Sequence, residues 1–394
     1  MDVLELARLQ FALTAGAHFL FVSLTLGLAT VIAVMQTRAT VGRSEIHARM
    51  TRFWGRLYVT NYAMGILTGL VMEFQLGLSW SGLTHFAGNV VGASLAMETL
   101  VAFFVESTFL GLWIFGWDKL NRWAHLAAIW VVTLTAYASA YWVLVANGFM
   151  QHPVGAEPGP DGLRLTDAAA VLTNPSTLQA FWHVLAGALV TAGFFLAGVS
   201  AWHLLRRTPE QEFFGRSLRI GVFVASPALF LSAATGGRQL QLIEEIQPHK
   251  WEAFSGGSGL ARIGALLMLM AFAAMFFFSF LNVALALSRR VIVTARAWHV
   301  ALIAALPLPY VAMLSGWVFR EVGRQPWVVD GLLTTRDALS DVSPAAIRFS
   351  FVTFVGVFAL LIAVNGWLLA RQARRGPAPF SSSASSPAAP EVLV

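Results

Sequence analysis

The chain has 394 residues, 57% of them hydrophobic and only 12% charged, and its mean hydropathy is +0.68; a soluble domain carries about 25% charged residues, so an integral membrane protein is expected. There is no cysteine, which excludes disulfides, thiolate-bound metals, iron–sulfur clusters and cysteine nucleophiles. The net charge of +6 is spread over loops and tail, which reads as membrane topology and not as a nucleic-acid patch.

Apolar stretches of about 20 to 28 residues select spanning helices over barrel strands of about 10 alternating residues. About nine spans fill the chain without a separate soluble domain. They are Leu9–Met35, Phe53–Leu78, Ser94–Trp117, Ala124–Phe149, Leu178–Leu205, Leu218–Ala234, Leu260–Leu287, Trp298–Phe319 and Phe349–Leu369. The first lacks a basic leader and a small-residue cleavage site and carries Gln10 and His18, so it reads as a span and not as a removable signal. Arg38, Arg43, Arg49 and Arg52 follow span one, and Lys119 and Arg122 follow span three. Arg206, Arg207, Arg216 and Arg219 follow span five; Arg289, Arg290 and Arg296 follow span seven; Arg371, Arg374 and Arg375 follow span nine. Basic residues gather in short cytoplasmic loops, which predicts an external N-terminus and a cytoplasmic C-terminus. The expected organisation is a nine-helix transmembrane domain over 1–371, a short outer loop at 236–260 and a Pro/Ser/Ala-rich disordered tail at 376–394.

The third span, SLAMETLVAFFVESTFLGLW from Ser94 to Trp113, holds two carboxylates, Glu98 and Glu106. An acidic side chain in the middle of a span costs about 2.5 kcal/mol or more, so it is tolerated when it faces a partner, a cavity or a proton route. In a regular helix their separation is about 12 Å of rise and about 80° of rotation, which puts them at different depths on roughly one side. The plainer alternative is polar glue between helices.

The expected orientation gathers other polar residues toward the outer leaflet. His18 lies about three turns into span one, Glu98 near the outer end of span three and His183 a turn or two into span five. Arg262 opens span seven, and Glu321 and Arg324 leave span eight. Two isolated intramembrane histidines on different helices, without cysteine and without an HExxH pattern, suit heme ligation better than a closed metal cage. Each alone is as much at home as a hydrogen-bonded core histidine. Arg8, Arg262 and Arg324 could neutralise heme propionates, or serve as interfacial anchors. The 30 Phe and 14 Trp are mostly lipid-facing or interfacial packing.

Six motifs then become specific: ELARLQFALTAGAHFLFVSLTLGLA around His18, TRFWGRLYVTNYAMGILTGLVMEFQLG from Thr51, ASLAMETLVAFFVESTFLGLWIFGWDKL around Glu98 and Glu106, SAYWVLVANGFMQHP from Ser139, NPSTLQAFWHV around His183 and GWVFREVGRQPW from Gly316. Together they resemble subunit I of the cytochrome bd family of terminal oxidases, over most of the chain to Leu369. The resemblance implies that His18 and Glu321 are axial ligands of two high-spin hemes, with Glu98 at the oxygen-reducing heme. One of those hemes would be heme b and the other heme d or a further heme b. It implies that His183 ligates a low-spin heme b, and that Glu106, Ser139 and Asn147 deliver protons from the cytoplasm. Trp317 and Arg324, with Arg8 and Arg262, match positions beside the hemes. A second membrane subunit, or self-association, is implied, as is a prokaryotic cytoplasmic (inner) membrane location with many passes.

Two departures stand out. The family's methionine ligand of the low-spin heme lies two residues after the arginine that Arg262 matches, and here that position is Gly264; Met268 and Met270 are the nearest substitutes. The family's long quinol-oxidising loop is reduced to GGRQLQLIEEIQPHKWEAFSGGSGL. Gln247 and Lys250 resemble the start of that loop, Ser255 stands where its glutamate is expected, and Glu252 is close but out of register, leaving at most a vestigial donor site. The leading expectation is a bd-type oxidase subunit reducing O2 to water with cytoplasmic protons, its donor a quinol or a cytochrome c-like protein. The alternatives are a non-catalytic transmembrane heme protein for electron transfer or gas binding, and a proton-coupled transporter, which explains the glutamates but not His18, His183 and GRQPW together.

Overall fold

The computed structural model describes residues 2–257 and 259–378. Most of the expected tail, from residue 379 on, lies outside the described residues. Helix α1 (Val3–Val41) starts from a capping box in which Asp2 accepts from the Glu5 amide and Glu5 from the Asp2 amide. Helix α2 (Glu45–Ser79) returns to the face of the bundle where α1 began, called here the N-terminal face. The third segment runs from Ser81 to Phe115 as α3 (Ser81–Ala87), a widened π-type stretch (Gly88–Gly92), α4 (Ala93–Met97), a second π-type stretch (Glu98–Phe103) and α5 (Phe104–Phe115). Helix α6 (Arg122–Gln151), capped by Asn121, comes back to the N-terminal face.

A short hairpin, β1 (Ala156–Gly159) and β2 (Gly162–Leu165), and α7 (Ala168–Leu172) lead into α8 (Pro175–Leu205). Asn174 caps α8, and Pro175 sits in its first turn, where a missing N–H costs nothing. Helix α9 (Gln211–Ile246) is followed by α10 (Pro248–Ser255) and α11 (Leu260–Ala286). The short α12 (Arg289–Thr294) leads to α13 (Arg296–Ala304) and α14 (Leu308–Val322). The second hairpin, β3 (Trp327–Val329) with β4 (Leu333–Thr334), precedes α15 (Pro344–Arg375).

All nine expected spans fall on long helical stretches. Among the described residues, eight of these are long and apolar enough to cross a membrane by length and composition. The remaining one, α2, is long enough but is interrupted by Arg52, Arg56, Asn61 and Glu73. Three expectations of detail change. The third span begins at Ser81, with two π-type stretches inside it. The extra residue per turn between Glu98 and Glu106 alters the rotation that a regular helix would give them. The eighth span is broken between α13 and α14, where Pro307 and Pro309 lack the N–H groups that would continue the ladder. Residues 236–260, expected as a loop, are largely helical, because α9 runs on to Ile246 and α10 fills most of what remains.

Alternation of the helices puts all the basic clusters named above at the end opposite the N-terminal face. A large apolar cluster at that end includes Trp54, Leu57, Tyr58, Trp113, Phe213 and Phe214. A second cluster, with Trp80, Phe149 and Val329, closes the N-terminal face under the two hairpins. Between them the helices approach closely through small residues, as spans do when packing must replace the hydrophobic effect. A Cβ on Gly27 of α1 would stand 2.1 Å from the Ala188 carbonyl oxygen of α8. That contact locks together the two helices that carry His18 and His183.

Candidate functional site

His18 on α1 contacts α2, where its Nδ1 lies 2.9 Å from Thr68 Oγ1. Thr68 Oγ1 donates its one proton to the Met64 carbonyl at 2.8 Å, so it accepts from the histidine. Nδ1 therefore carries the hydrogen, and Nε2 keeps its lone pair. His183 on α8 repeats the arrangement against α9. Its Nδ1 is 3.0 Å from Thr235 Oγ1, and Thr235 Oγ1 donates to the Leu231 carbonyl at 2.8 Å. Each threonine is followed by a glycine under the ring: a Cβ on Gly69 would lie 3.3 Å from the His18 ring carbon Cε1, and one on Gly236 would lie 3.1 Å from the same atom of His183. A side chain at either glycine would crowd the imidazole.

Glu321 ends α14 inside a dense polar network. Its Oε1 accepts from Asn147 Nδ2 at 2.9 Å and from Gln151 Nε2 at 3.4 Å, and its Oε2 accepts from Arg324 Nη2 at 2.6 Å. Arg320 donates to Asn147 Oδ1 at 2.8 Å. Lys250, buried, donates to Gln151 Oε1 and, at 2.8 Å, to Gln247 Oε1. Burial and the Arg320 and Arg324 guanidiniums push the Lys250 ammonium well below the ordinary lysine range, against the opposing pull of Glu321 and Asp330. One carboxylate thus faces two guanidiniums and an amine, a local excess of positive charge. Arg324 has Nε and Nη1 buried without a protein partner.

Glu98 belongs to a different group. Its Oε1 accepts from Ser139 Oγ at 2.5 Å, and Thr99 Oγ1 stands between the two glutamates, 3.2 Å from Glu98 Oε2 and 2.7 Å from Glu73 Oε1. Glu106 is buried deeper, with Oε1 unpartnered, beside Tyr62. The hydroxyls of Tyr58, Tyr62 and Ser107 are likewise buried without a partner of good geometry, a set that calls for water.

Helix α6 joins the two groups: Ser139 serves Glu98, while Asn147, eight residues on, and Gln151 serve Glu321. Asn147, expected on a proton route with Ser139, donates to Glu321 and accepts from Arg320, so the two residues stand beside different carboxylates. Trp317 of α14 packs edge-on to Phe19 with centroids 5.3 Å apart, next to His18. Arg324, expected beside the hemes, is ion-paired to Glu321 at 2.6 Å. Arg8 is exposed, and Arg262 donates to the Gly257 carbonyl at 2.8 Å. Gln247, Lys250 and Glu252 do not converge on one surface, since the first two are buried in the Glu321 network and Glu252 is exposed. Sequence reasoning missed Glu73 and Arg320. Glu73 carried the same signal as Glu98, a carboxylate inside a spanning segment; Arg320 sits beside Glu321 in a motif read for its other residues.

The donor set fits heme. Two imidazoles present Nε2 lone pairs over glycine-floored cradles, and Arg324 offers unpartnered buried donors suited to a propionate. No cluster of three or more His, Asp or Glu suited to holding an ion occurs among the described residues.

The sequence model of the family described as cytochrome bd terminal oxidase subunit I matches residues 6–259 and 260–377, two pieces that meet at the end of the shortened 236–260 stretch. The chain is 34% identical over 443 residues to cytochrome bd ubiquinol oxidase subunit 1 of Bacillus subtilis (strain 168), covering 95% of this chain and 94% of that one. It is 32% identical to cytochrome bd-II ubiquinol oxidase subunit 1 of Escherichia coli (strain K12), covering 97% and 98%. Among solved structures, the bd oxidase from Geobacillus thermodenitrificans matches with a TM-score of 0.82 at 24% identity, over 95% of this chain and 99% of that chain. At that identity the structural likeness speaks for the fold.

Proposed function

This chain belongs to the family of cytochrome bd terminal oxidase subunit I, and from that membership we propose that His18, Glu321 and His183 hold its hemes. It is a heme-bearing, multi-pass subunit of a respiratory oxidoreductase of the bacterial cytoplasmic membrane, and the membership favours turnover over a storage or relay role. The observation that carries the ligand assignment is the paired threonine–glycine support, which leaves an Nε2 lone pair on both His18 and His183. A neutral imidazole with Nδ1–H tied down is the form that ligates iron. Glu321 is the second high-spin ligand, and Arg324, with two buried donors unpartnered, takes a propionate. His18 and Glu321 hold high-spin hemes, one of them heme b and the other heme d or a second heme b, and His183 holds a low-spin heme b.

When bound, the hemes supply electrons and the iron at which O2 is reduced to water. The protein's own task is to bring protons there through a membrane. Glu98 holds a proton at the reducing site, positioned by Ser139 and shared through Thr99 with Glu73. Glu106, with Tyr58, Tyr62 and Ser107, forms the hydrated approach from the opposite face, which carries the basic clusters and is cytoplasmic by the positive-inside rule. The N-terminal face is then external. A second membrane subunit covers the segment Ser81–Phe115 and α15, the least covered spans of the bundle, where Glu73, Glu98 and Thr99 would otherwise meet lipid.

The relatives above are named ubiquinol oxidases. Here Gln247 and Lys250 are spent inside the Glu321 network, so the donor docks without them. Oxygen consumption with quinol against reduced cytochrome c decides the donor. The heme reading is tested by oxidised and dithionite-reduced visible spectra of the protein made with its companion subunit and ample heme. Distinct high-spin and low-spin features are expected; absence of a Soret band would overturn it.

A further inference from the structure

We propose that Met268 is the sulfur ligand opposite His183, a step that rests on His183 holding a heme. Gly264, the position where a methionine is expected, cannot do this and has no room to be restored. A Cβ there would lie 2.7 Å from the Ser315 carbonyl oxygen and 3.1 Å from the Phe319 amide, because α11 and α14 touch backbone to backbone. One turn along, on the same face of α11, stands Met268. Its Sδ would be 2.6 Å from a Cβ on Gly316, so the thioether is turned inward against α14. Met270 is 59% exposed and faces away.

The register brings Met268 to the level of His183. Val190 of α8, Ala228 and Leu229 of α9 and Met275 of α11 pack in one buried cluster. Helices α8 and α11 run the same way, and α9 runs against them. Seven residues back from Val190 is His183, and seven back from Met275 is Met268. Seven on from Ala228 is Thr235, which holds the His183 ring. Each step is about 10 Å of rise, so all three arrive at one depth. Met275 itself stays below, among Phe272 and Phe276. A thioether opposite an imidazole is an established low-spin pair that raises the heme potential. Gly316 is the structural counterpart: its missing side chain is what admits the thioether, next to Trp317, which reaches toward His18.

The test uses the whole oxidase in membranes, read by near-infrared magnetic circular dichroism of the oxidised form, where a thioether on low-spin ferric heme gives a charge-transfer band at longer wavelength than a second nitrogen ligand does. The native enzyme should show the band. Met268→Leu should lose it with heme content unchanged and one further heme open to carbon monoxide, and Met270→Leu should keep it. A native low-spin heme without the band, or a Met268→Leu enzyme that retains it, overturns the assignment even if the variant is poorly made. A His183→Ala enzyme with no spectral change would instead remove the heme site on which the assignment rests.

Discussion

His18 and His183 sit in pockets built to one plan: an imidazole on one helix, a threonine hydroxyl on the next at 2.9 or 3.0 Å, and a glycine directly after that threonine. Their surroundings then diverge. Around His18 the neighbouring elements carry Trp317, the Glu73–Thr99–Glu98–Ser139 chain and the Glu321 network, all rich in exchangeable protons. Around His183 the Glu321 network comes close only through Arg320, which lies 3.4 Å from Ser176 of α8 and 3.5 Å from Gln239 of α9, while about two turns below the ring α8, α9 and α11 close on an apolar cluster. A shared cradle can hold the same kind of group, while the side chains around it decide whether it does proton chemistry or only passes electrons.

The comparison breaks most visibly at Glu98. Glu98→Ala should lower oxygen consumption by about 100-fold or more, the scale of a lost proton-transfer group, with the protein inserted and its hemes retained; unchanged turnover would mean the carboxylate is only polar glue. Removing each imidazole comes next. His18→Ala should abolish turnover and one high-spin feature, whereas His183→Ala should remove the low-spin feature alone and leave dithionite-driven heme reduction at the other site. If both variants lose the same spectral band, the two pockets do not hold different hemes.

A finer probe replaces the shared support. Thr68→Val and Thr235→Val each strand an imidazole N–H, and loss of such an outer hydrogen bond weakens metal affinity by about 10- to 100-fold. Heme retained per polypeptide after detergent extraction should fall in both. Gly236→Ala and Gly69→Ala should act more weakly, with Gly236→Ala the worse because its Cβ would stand nearer the ring, 3.1 Å against 3.3 Å. A loss confined to one member of either pair would show that the likeness of the pockets is superficial.

Most of the bundle was legible because spans must be long and apolar, and the intramembrane histidines and glutamates stood out against that background. What periodicity could not reveal was local. The π-type turns at Glu98 depend on tertiary packing, not on propensity. The run from Gly236 to Leu260 looked like a loop from its Gly and polar content, yet its polar residues continue α9 and form α10 because they pack down onto Glu321's network. Asn147 and Ser139 shared one motif, but about 12 Å of helix rise delivers them to different carboxylates. Lys250 read as a surface donor residue, and burial turned it into an internal one.

That burial yields the smallest effect and a defined sign. Lys250 is held below its ordinary value of 10.5 chiefly by desolvation, with Arg320 and Arg324 adding to it. Between the lowered value and 10.5 the unfolded chain carries a proton on this amine that the folded chain lacks, so folding stability rises with pH through that window and the gain is complete above it. Lys250→Met removes the titration while filling a similar volume. The rise in thermal inactivation midpoint from neutral to alkaline pH should then be smaller in the variant by about 2 °C, the shift that roughly 1 kcal/mol produces in a large chain. The wild-type minus variant difference isolates this amine from every other group titrating in the range. If that difference were flat with pH, Lys250 would keep its charge in the folded state, held by Glu321 and Asp330, and the network would be ionic and not built on a neutral hydrogen-bonding amine.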